Sequence, residues 1–270
     1  MAATLNLINF VEMKILADIN TRKNDILIFF CFLIAGGILL WASYAAWINF
    51  KTTPPYVDRE KYPVMGIDIS SHNGTIDYKA AAADEVEFVW IKATEGGTFK
   101  DKQFYVNYEN AGKAGLKRGA YHFFRFDKDG VEQAMNLLET VGDRELEMGV
   151  AIDIETSGNP ENVDETVVKQ RLASMVDYLN LRGLAPTLYC NKKDFFLLLK
   201  DSFPGASLWI CALSEDQIAV DCTFWQYSHK GSIKGVKGLV DIDVFGGSRE
   251  DWISFLDNQQ YKGVNSVIKE

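Results

Sequence analysis

The sequence has little of several features that mark familiar classes of protein. Its formal net charge is −9, and it contains no run of Lys and Arg interleaved with aromatic residues. Because nucleic-acid binding depends on basic side chains that neutralise phosphates, nucleic acid is not an expected partner. The 3 histidines, His72, His122 and His229, lie on separate segments without the H-x-x-x-H or H-E-x-x-H spacing of zinc enzymes. No metal ion or other cofactor is therefore expected.

Cysteine is also scarce, with 4 residues in 270. Cys31 falls in an apolar run near the N-terminus, while Cys190, Cys211 and Cys222 form an odd set that allows at most one disulfide. These thiols are expected to act as small buried hydrophobic groups rather than as a disulfide scaffold. A hydrophobic content of 47% and an aromatic content of 13% are enough for one sizeable core, which excludes a disordered protein.

A long apolar run is the first feature that the sequence does have. Residues 26–48 read ILIFFCFLIAGGILLWASYAAWI and contain no charge. A helix of this length rises about 1.5 Å per residue and crosses a hydrocarbon core of roughly 30 Å. Trp41, Tyr44 and Trp47 cluster towards its end, as in the aromatic belt of a membrane interface. We predict a single transmembrane helix over residues 26–48, preceded by a cytoplasmic segment of residues 1–25.

A cleaved signal peptide is the alternative for this run. Ser43-Tyr44-Ala45 resembles a small-x-small processing site, but the long charged leader and the length of the apolar run favour an uncleaved anchor. Basic residues do not decide the orientation, because three precede the helix and three follow it: Lys14, Arg22, Lys23, Lys51, Arg59 and Lys61.

A linker over residues 49–63, with the pair Pro54-Pro55, separates this helix from a domain predicted over residues 64–258, and residues 259–270 form a tail. Within the domain, short apolar runs such as VMGIDI, FVWIKAT and GVAIDIE alternate with helical patterns over 76–83, 102–114, 129–141 and 163–182. Such alternation is typical of parallel βαβ units, with a sheet covered on both faces. After residue 190 the strands SLWICA, TFWQYS and LVDIDVF follow with little helical pattern between them. We predict an α/β barrel whose last helices are shortened or lost.

Functional groups of such a barrel collect at the carboxyl ends of its strands. Acids and aromatic residues dominate these positions: Asp68, Lys92, Glu95, Tyr121, His122, Asp153, Glu155, Tyr189, Trp209, Trp225, Gln226, Tyr227, Asp241 and Asp243. Asp153 and Glu155 are two positions apart in AIDIE, so they share one face of a strand, and in a closed barrel we expect that face to point inward.

Paired carboxylates in a cleft lined by aromatic rings suit glycoside hydrolysis. One acid with a raised pKa protonates the departing oxygen, and the other stabilises positive charge at the anomeric carbon. An isolated D-x-E motif is more often a cap or a salt-bridge feature. Four acidic strand ends in one chain favour function, since buried ionised groups without a function are rare.

Six ordered motifs carry a family resemblance: DISSHNG (68–74), KATEGGTFKD (92–101), GAYHFF (119–124), the D-x-E of AIDIE, FWQYS (224–228) and VDIDVF (240–245). Together, from about Met65 to about Trp252, they resemble glycoside hydrolase family 25, the lysozymes of phage, bacterial and fungal origin. The resemblance implies an irregular TIM-like (β/α)5(β)3 barrel. It also implies cleavage of the β-1,4 bond between N-acetylmuramic acid and N-acetylglucosamine, with peptidoglycan glycan strands as the partner.

The resemblance also assigns roles to residues. The proton donor of the family falls on Glu155, and its partner carboxylates fall on Asp153, Asp68 and Asp241. Substrate contacts are expected from Tyr121, His122, Lys92, Glu95, Tyr189, Trp209, Trp225, Gln226, Tyr227 and Asp243. Two positions depart from the pattern, because Asp243 stands where Asn is usual and Trp90 stands where an aliphatic residue is usual.

Retention of configuration is implied by the family, and two routes remain open: a direct enzyme nucleophile, or attack by the substrate's own 2-acetamido oxygen with Asp153 stabilising the oxazolinium. The competing function is a non-catalytic module that tethers the membrane to peptidoglycan. If the enzyme hypothesis holds, the protein is a single-pass membrane protein with a cytoplasmic N-terminus and an extracytoplasmic barrel. Secretion after signal cleavage is the alternative.

Overall fold

The computed structural model describes residues 13–14, 22, 28–45, 47, 57–215 and 220–259. The chain divides into two compact units, Met1–Thr53 and Pro54–Glu270. Nearly all of the predicted cytoplasmic segment, most of the linker and residues 260–270 of the predicted tail lie outside the described residues.

The first unit contains one long apolar helix. Ile28–Ala45 is helical over 18 residues, with a mean hydropathy of 2.1, and none of these residues is buried among the described parts of the chain. Its length and composition suffice to cross a membrane, and they suit a signal sequence near an N-terminus equally well. The helix lies within the predicted span of residues 26–48.

The second unit is a closed barrel of eight strands within its described residues, as the sequence predicts. β1 pairs with both β2 and β9, which closes the sheet, while the short β3 pairs with β2 alone. The strands are β1 Met65–Ile69, β2 Val86–Glu95, β3 Phe99–Lys100, β4 Lys117–Phe123, β5 Val150–Asp153, β6 Thr187–Asn191, β7 Leu208–Cys211, β8 Phe224–Gly231 and β9 Val240–Phe245.

Strand direction divides the barrel into a parallel part and one antiparallel strand. Neighbouring strands from β1 through β2, β4, β5, β6 and β7 to β8 are parallel. β9 is antiparallel to both β8 and β1. The carboxyl ends of seven strands and the amino end of β9 therefore form one edge of the barrel.

Helices follow most of the parallel strands: Tyr78–Ala83, Phe104–Lys113, Gly130–Val141, Glu165–Asn180 and the short Lys192–Asp194, which continues into a π-helix over Phe195–Leu199. Asp129 and Asp164 cap two of them by accepting hydrogen bonds from backbone N–H groups of the first turn. The four helices predicted from the sequence are confirmed, with ends that differ by at most two residues. A further helix, Arg249–Gln259, was not among the predicted elements.

Two apolar cores lie on opposite faces of the sheet. The outer core joins strand residues such as Ile91 and Ile152 to helix residues such as Leu137 and Leu172. The inner core fills the barrel and is closed at the end opposite the strand carboxyl ends by Trp252 of the last helix; its members include Phe88, Trp90, Tyr121, Tyr189, Trp209, Phe224 and Phe245. Period-two alternation along each strand produces this division.

Candidate active site

Two acids lie side by side on β1 and β9. Asp68, near the carboxyl end of β1, is in register with Asp241 of β9. Asp241 was expected at the carboxyl end of its strand, but it is the second residue of β9. Because β9 is antiparallel to β1, this amino end reaches the same edge of the barrel.

The D-x-E pair lies at the end of β5. Asp153 is buried and ends the strand, and Glu155 follows it with greater exposure. Burial and the neighbouring charge of Glu155 raise the pKa of Asp153 well above its usual value, while Lys92 opposes the shift. Burial, followed by the charge of Asp194, raises the pKa of Glu155. The negative charge of Glu155 therefore opposes the ionisation of Asp153.

Hydrogen bonds orient Asp68. Gln226 Nε2 donates to Asp68 Oδ2 over 2.6 Å, and Gln226 Oε1 accepts from the Tyr189 hydroxyl over 2.7 Å. Burial and the negative charge of Asp241 raise the pKa of Asp68 to about 8. Gln226 is itself buried, so this chain of three side chains is shielded from solvent.

Asp243 lies next to Asp68 and is fully buried. The Trp209 indole Nε1 donates to Asp243 Oδ1 over 2.8 Å, whereas Oδ2 has no hydrogen-bond partner if both carboxyls are ionised. Burial and the charge of Asp68 raise the pKa of Asp243 well above its usual value. A proton on Oδ2 would satisfy this buried oxygen, and a protonated Asp243 would have the shape and donor pattern of the Asn expected there.

Lys92 and Glu95, both expected to contact substrate, form an ion pair with each other. Lys92 Nζ lies 2.8 Å from Glu95 Oε2, and an Arg125 guanidinium nitrogen lies 3.6 Å from Glu95 Oε1. A register shift in β2 between Lys92 and Thr94 inserts one extra residue, so side chains three positions apart meet. The positive charge of Lys92 acts on Asp153.

Aromatic rings form the layer beneath the acids. The Trp209 ring, only 2% exposed, stacks on Trp90 with centroids 5.4 Å apart. β2 and β7 are not neighbours in the sheet, so these rings meet across the inside of the barrel. Tyr121 and Tyr189 lie in the same inner core, and nearby acids including Asp68 and Asp153 help to raise both hydroxyl pKa values. Trp209 is therefore part of the floor of the cleft.

Two of the expected sugar-binding rings lie on the other face of β8. Trp225 and Tyr227 belong to the outer core, and Trp225 packs edge-on against Tyr62 with centroids 5.3 Å apart. Its indole Nε1 donates to the carbonyl oxygen of Ala212. Because Gln226 between them points inward, period-two alternation turns both rings outward. This placement contradicts the expected substrate contact for both.

His122 also points away from the cleft. It is fully buried, Thr94 Oγ1 donates to its Nδ1 over 2.7 Å, and its Nε2 donates to Gln133 Oε1 over 3.1 Å. Burial lowers its pKa to about 4, so the imidazole is neutral at physiological pH. Gln133 belongs to the helix Gly130–Val141. The expected substrate contact is therefore corrected to a structural contact between strand and helix.

Three residues in or beside the site were not predicted. Cys211 Sγ lies 3.3 Å from His229 Nε2, and His229 Nδ1 lies 3.2 Å from Asp241 Oδ1. Asp194, fully buried, accepts from the backbone N–H of Thr156 over 3.0 Å, next to Glu155. Cys211 and His229 lie near the ends of the apolar runs SLWICA and FWQYSHK, and this position is the signal that could have identified them. A register shift in β8 after Gln226 obscures the alternation of side chains between the two faces of the strand.

Other features of the described residues do not compete with this site. No three His, Cys, Asp or Glu side chains among them are arranged to hold a metal ion. A cavity of about 540 Å³ lies elsewhere on the domain, with Tyr78, Asn110 and Lys113 in its lining and none of the acids of the barrel edge. The chemistry of the side chains therefore locates the site better than cavity size.

The chain forms a closed α/β barrel, with the carboxyls of Asp153 and Glu155 and further acids above an aromatic floor. This is the arrangement of a glycoside hydrolase. Residues 67–236 match Glycosyl hydrolases family 25, and the chain belongs to that family.

Relatives with curated descriptions carry lysozyme names. The chain is 32% identical over 184 residues to the autolytic lysozyme of Clostridium acetobutylicum, covering 67% of this chain but only 56% of that protein. It is 30% identical over 214 residues to lysozyme M1 of Streptomyces globisporus, covering 72% of each chain.

Solved structures show the same fold. A family 25 glycosyl hydrolase from Bacillus anthracis is similar with a TM-score of 0.67 at 31% identity, covering 74% of this chain and 96% of that one. A lysozyme from Streptomyces coelicolor is similar with a TM-score of 0.66 at 28% identity, covering 73% and 98%.

Proposed function

We propose that this family 25 glycosyl hydrolase is a lysozyme. It cleaves the β-1,4 bond between N-acetylmuramic acid and N-acetylglucosamine in peptidoglycan. The placement of the buried Asp153 and the more exposed Glu155 at the end of β5, on the barrel edge that also carries Asp68 and Asp241, is the observation that carries the proposal. The lysozyme names of relatives covering 67% and 72% of this chain support the choice of substrate.

Glu155 is the general acid in this proposal. It is the more exposed member of the pair, so it can reach the glycosidic oxygen, and its raised pKa keeps a proton available. A bound glycan covers Glu155 and removes water from it, which raises that pKa further.

Asp153 stabilises positive charge at the anomeric centre. Its own pKa is raised more strongly than that of Glu155 in the substrate-free enzyme, which at first favours the opposite assignment. Exposure decides between the two, because Asp153 is buried beside Lys92 and has an unpartnered Oδ1, whereas Glu155 faces the opening. Developing positive charge on the sugar and the ammonium of Lys92 both favour the ionised form of Asp153.

The apolar helix Ile28–Ala45 serves as a membrane anchor in this proposal, with the barrel outside the cytoplasmic membrane where peptidoglycan lies. A mean hydropathy of 2.1 over 18 residues supports the anchor. Two measurements test it. The mature protein should retain its N-terminal residues by mass spectrometry, and protease added to intact spheroplasts should remove the barrel. A mature chain that starts after residue 45 would identify a signal peptide, and a protected barrel would reverse the topology.

The activity is tested with the full chain in detergent on purified peptidoglycan. Turbidity should fall, and mass spectrometry should find fragments with muramic acid at the reducing end. Glucosamine at the reducing end would make the enzyme a glucosaminidase. Binding to peptidoglycan without any cleavage would establish the tethering module instead.

A further inference from the structure

A cysteine, a histidine and an acid form a connected row at the edge of the barrel, outside the carboxyl pair. Cys211 ends β7, His229 lies on β8 and Asp241 lies on β9. The row runs from Cys211 Sγ to His229 Nε2 over 3.3 Å and from His229 Nδ1 to Asp241 Oδ1 over 3.2 Å. A thiol joined to an imidazole whose other nitrogen is held by a carboxylate is the arrangement that activates sulfur as a nucleophile.

Hydrogen bonds on both ring nitrogens of His229 favour its imidazolium form. The hydrogen bond to Asp241, and next the hydrogen bond to Cys211, raise the pKa of His229 to about 10. Asp241 fixes a proton on Nδ1, so Nε2 either accepts the thiol proton or donates to the thiolate. Other titratable groups lie near this row: Tyr189 of β6 lies near Cys211, and Glu155 and Asp68 lie near His229.

Position links this thiol to the glycan cleft. Cys211 packs against the inner core, in register with Gln226, which holds Asp68. His229 acts electrostatically on both Glu155 and Asp68. A group added to Sγ therefore projects into the space above the carboxyls, where the sugar lies in the proposed function.

We propose that Cys211 is a modification site that takes low-molecular-weight disulfides, and that the mixed disulfide closes the cleft. The Cys211 thiolate attacks one sulfur of the disulfide RSSR. A new S–S bond forms, the original S–S bond breaks and RS⁻ leaves, while the thiol proton resides on His229 Nε2. A second thiol reverses the exchange and reopens the cleft. The closure of the cleft rests on the proposed function, whereas the reactivity of Cys211 does not.

The test labels the full chain in detergent with 5,5′-dithiobis(2-nitrobenzoic acid), an aromatic disulfide, and maps the sites by mass spectrometry. Cys190 and Cys222 are internal references, because burial raises their thiol pKa values, to about 12 for Cys222. Cys211 should react at least about 10-fold faster than either, and His229→Gln should slow it by a similar factor. Labelling of Cys211 no faster than Cys222, or unaffected by His229→Gln, would overturn the proposal.

Closure of the cleft is measured on the same samples. Lytic activity should fall in proportion to labelling of Cys211 and return with dithiothreitol, and Cys211→Ala should be insensitive to the reagent. Co-sedimentation with insoluble peptidoglycan should fall as well, which needs no turnover. Full activity and binding after complete labelling would refute closure. An unlabelled enzyme that binds peptidoglycan without cleaving it would refute the lysozyme activity alone. The proposal for Cys211 would still be decided by the labelling rates and by peptidoglycan binding.

Discussion

Replacing Asp243 with Asn tests whether this buried carboxyl keeps its proton in the folded enzyme. Asp243 is fully buried between Trp209, which donates to its Oδ1, and Asp68, whose carboxyl lies within hydrogen-bonding reach of its side chain. An Asn side chain preserves both contacts, because its carbonyl accepts from the indole and its amide donates to Asp68. Asp243→Asn therefore removes an ionisable group and changes little else.

The magnitude follows from linkage between protonation and folding. Burial and Asp68 raise the folded pKa of Asp243 well above the unfolded value of about 3.9. The unfolded chain then releases its proton first as the pH rises. Stability is complete below the unfolded pKa and falls as the pH rises towards the folded pKa. Each pH unit by which the folded pKa exceeds the unfolded pKa corresponds to about 1.4 kcal/mol once the pH has risen past the folded value. Asp243→Asn should therefore be more stable than the wild type at pH 7, and the difference should vanish near pH 4.

Thermal unfolding of the full chain at several pH values measures this difference. For a domain of this size, each 1 kcal/mol of added stability raises the melting temperature by roughly 2–4 °C. Asp164→Asn is the matched control, because a hydrogen bond from the Thr166 backbone lowers the pKa of this exposed capping acid. Its stabilisation is present at pH 7 and is lost on acidification, so the control should show no gain at pH 7. Parallel curves for Asp243→Asn and the wild type from pH 4 to pH 7 would show that Asp243 is ionised in the folded state and refute the reasoning.

Three further tests address the rest of the site. Glu155→Gln should lose about 10²–10⁴ in rate on peptidoglycan yet keep partial activity on an aryl glycoside with a good leaving group, whereas Asp153→Asn should be impaired on both; the reverse pattern would exchange their roles. Asp194→Asn removes a charge that raises the pKa of Glu155, so the alkaline limb of the pH–rate profile should move to lower pH, and an unmoved limb would contradict this coupling. Trp225→Ala should lower the free energy of unfolding by roughly 3–5 kcal/mol, as judged by thermal unfolding; weakened peptidoglycan binding at unchanged stability would instead place this ring in the cleft.

The barrel and the position of its acids follow from short-range patterns in the sequence. Apolar runs that alternate with amphipathic stretches predict strands joined by helices, and parallel strands bring their carboxyl ends to one edge. Asp68 and Asp153 could be placed at that edge because Asp153 ends its apolar strand and Asp68 lies one residue before the end of its own. Backbone geometry alone is sufficient for this step.

Register shifts limited the prediction of individual side chains. A strand with an extra residue turns every later side chain to the opposite face, and pairing with the neighbouring strand decides where the extra residue lies. The shift in β2 brings Glu95 to Lys92, and the shifts in β8 precede and follow His229. Sequence alternation carries no record of such shifts. Trp225 illustrates a different limit, because an aromatic residue near a strand end suits either face.

The two departures from the family pattern belong to one column of contacts. Trp90 stacks beneath Trp209 at an interplanar angle of 18°, and Trp209 in turn donates to Asp243. Gly119 of β4 makes room for the larger ring, because a Cβ at that position would lie 2.2 Å from Trp90 Cε3. The stack limits the tilt of the Trp209 indole, whose N–H donates to Oδ1 of Asp243, and the side chain of Asp243 lies next to Asp68. The two departures, Trp90 in the floor and Asp243 in place of the usual Asn, therefore act together on the hydrogen bonding of Asp68.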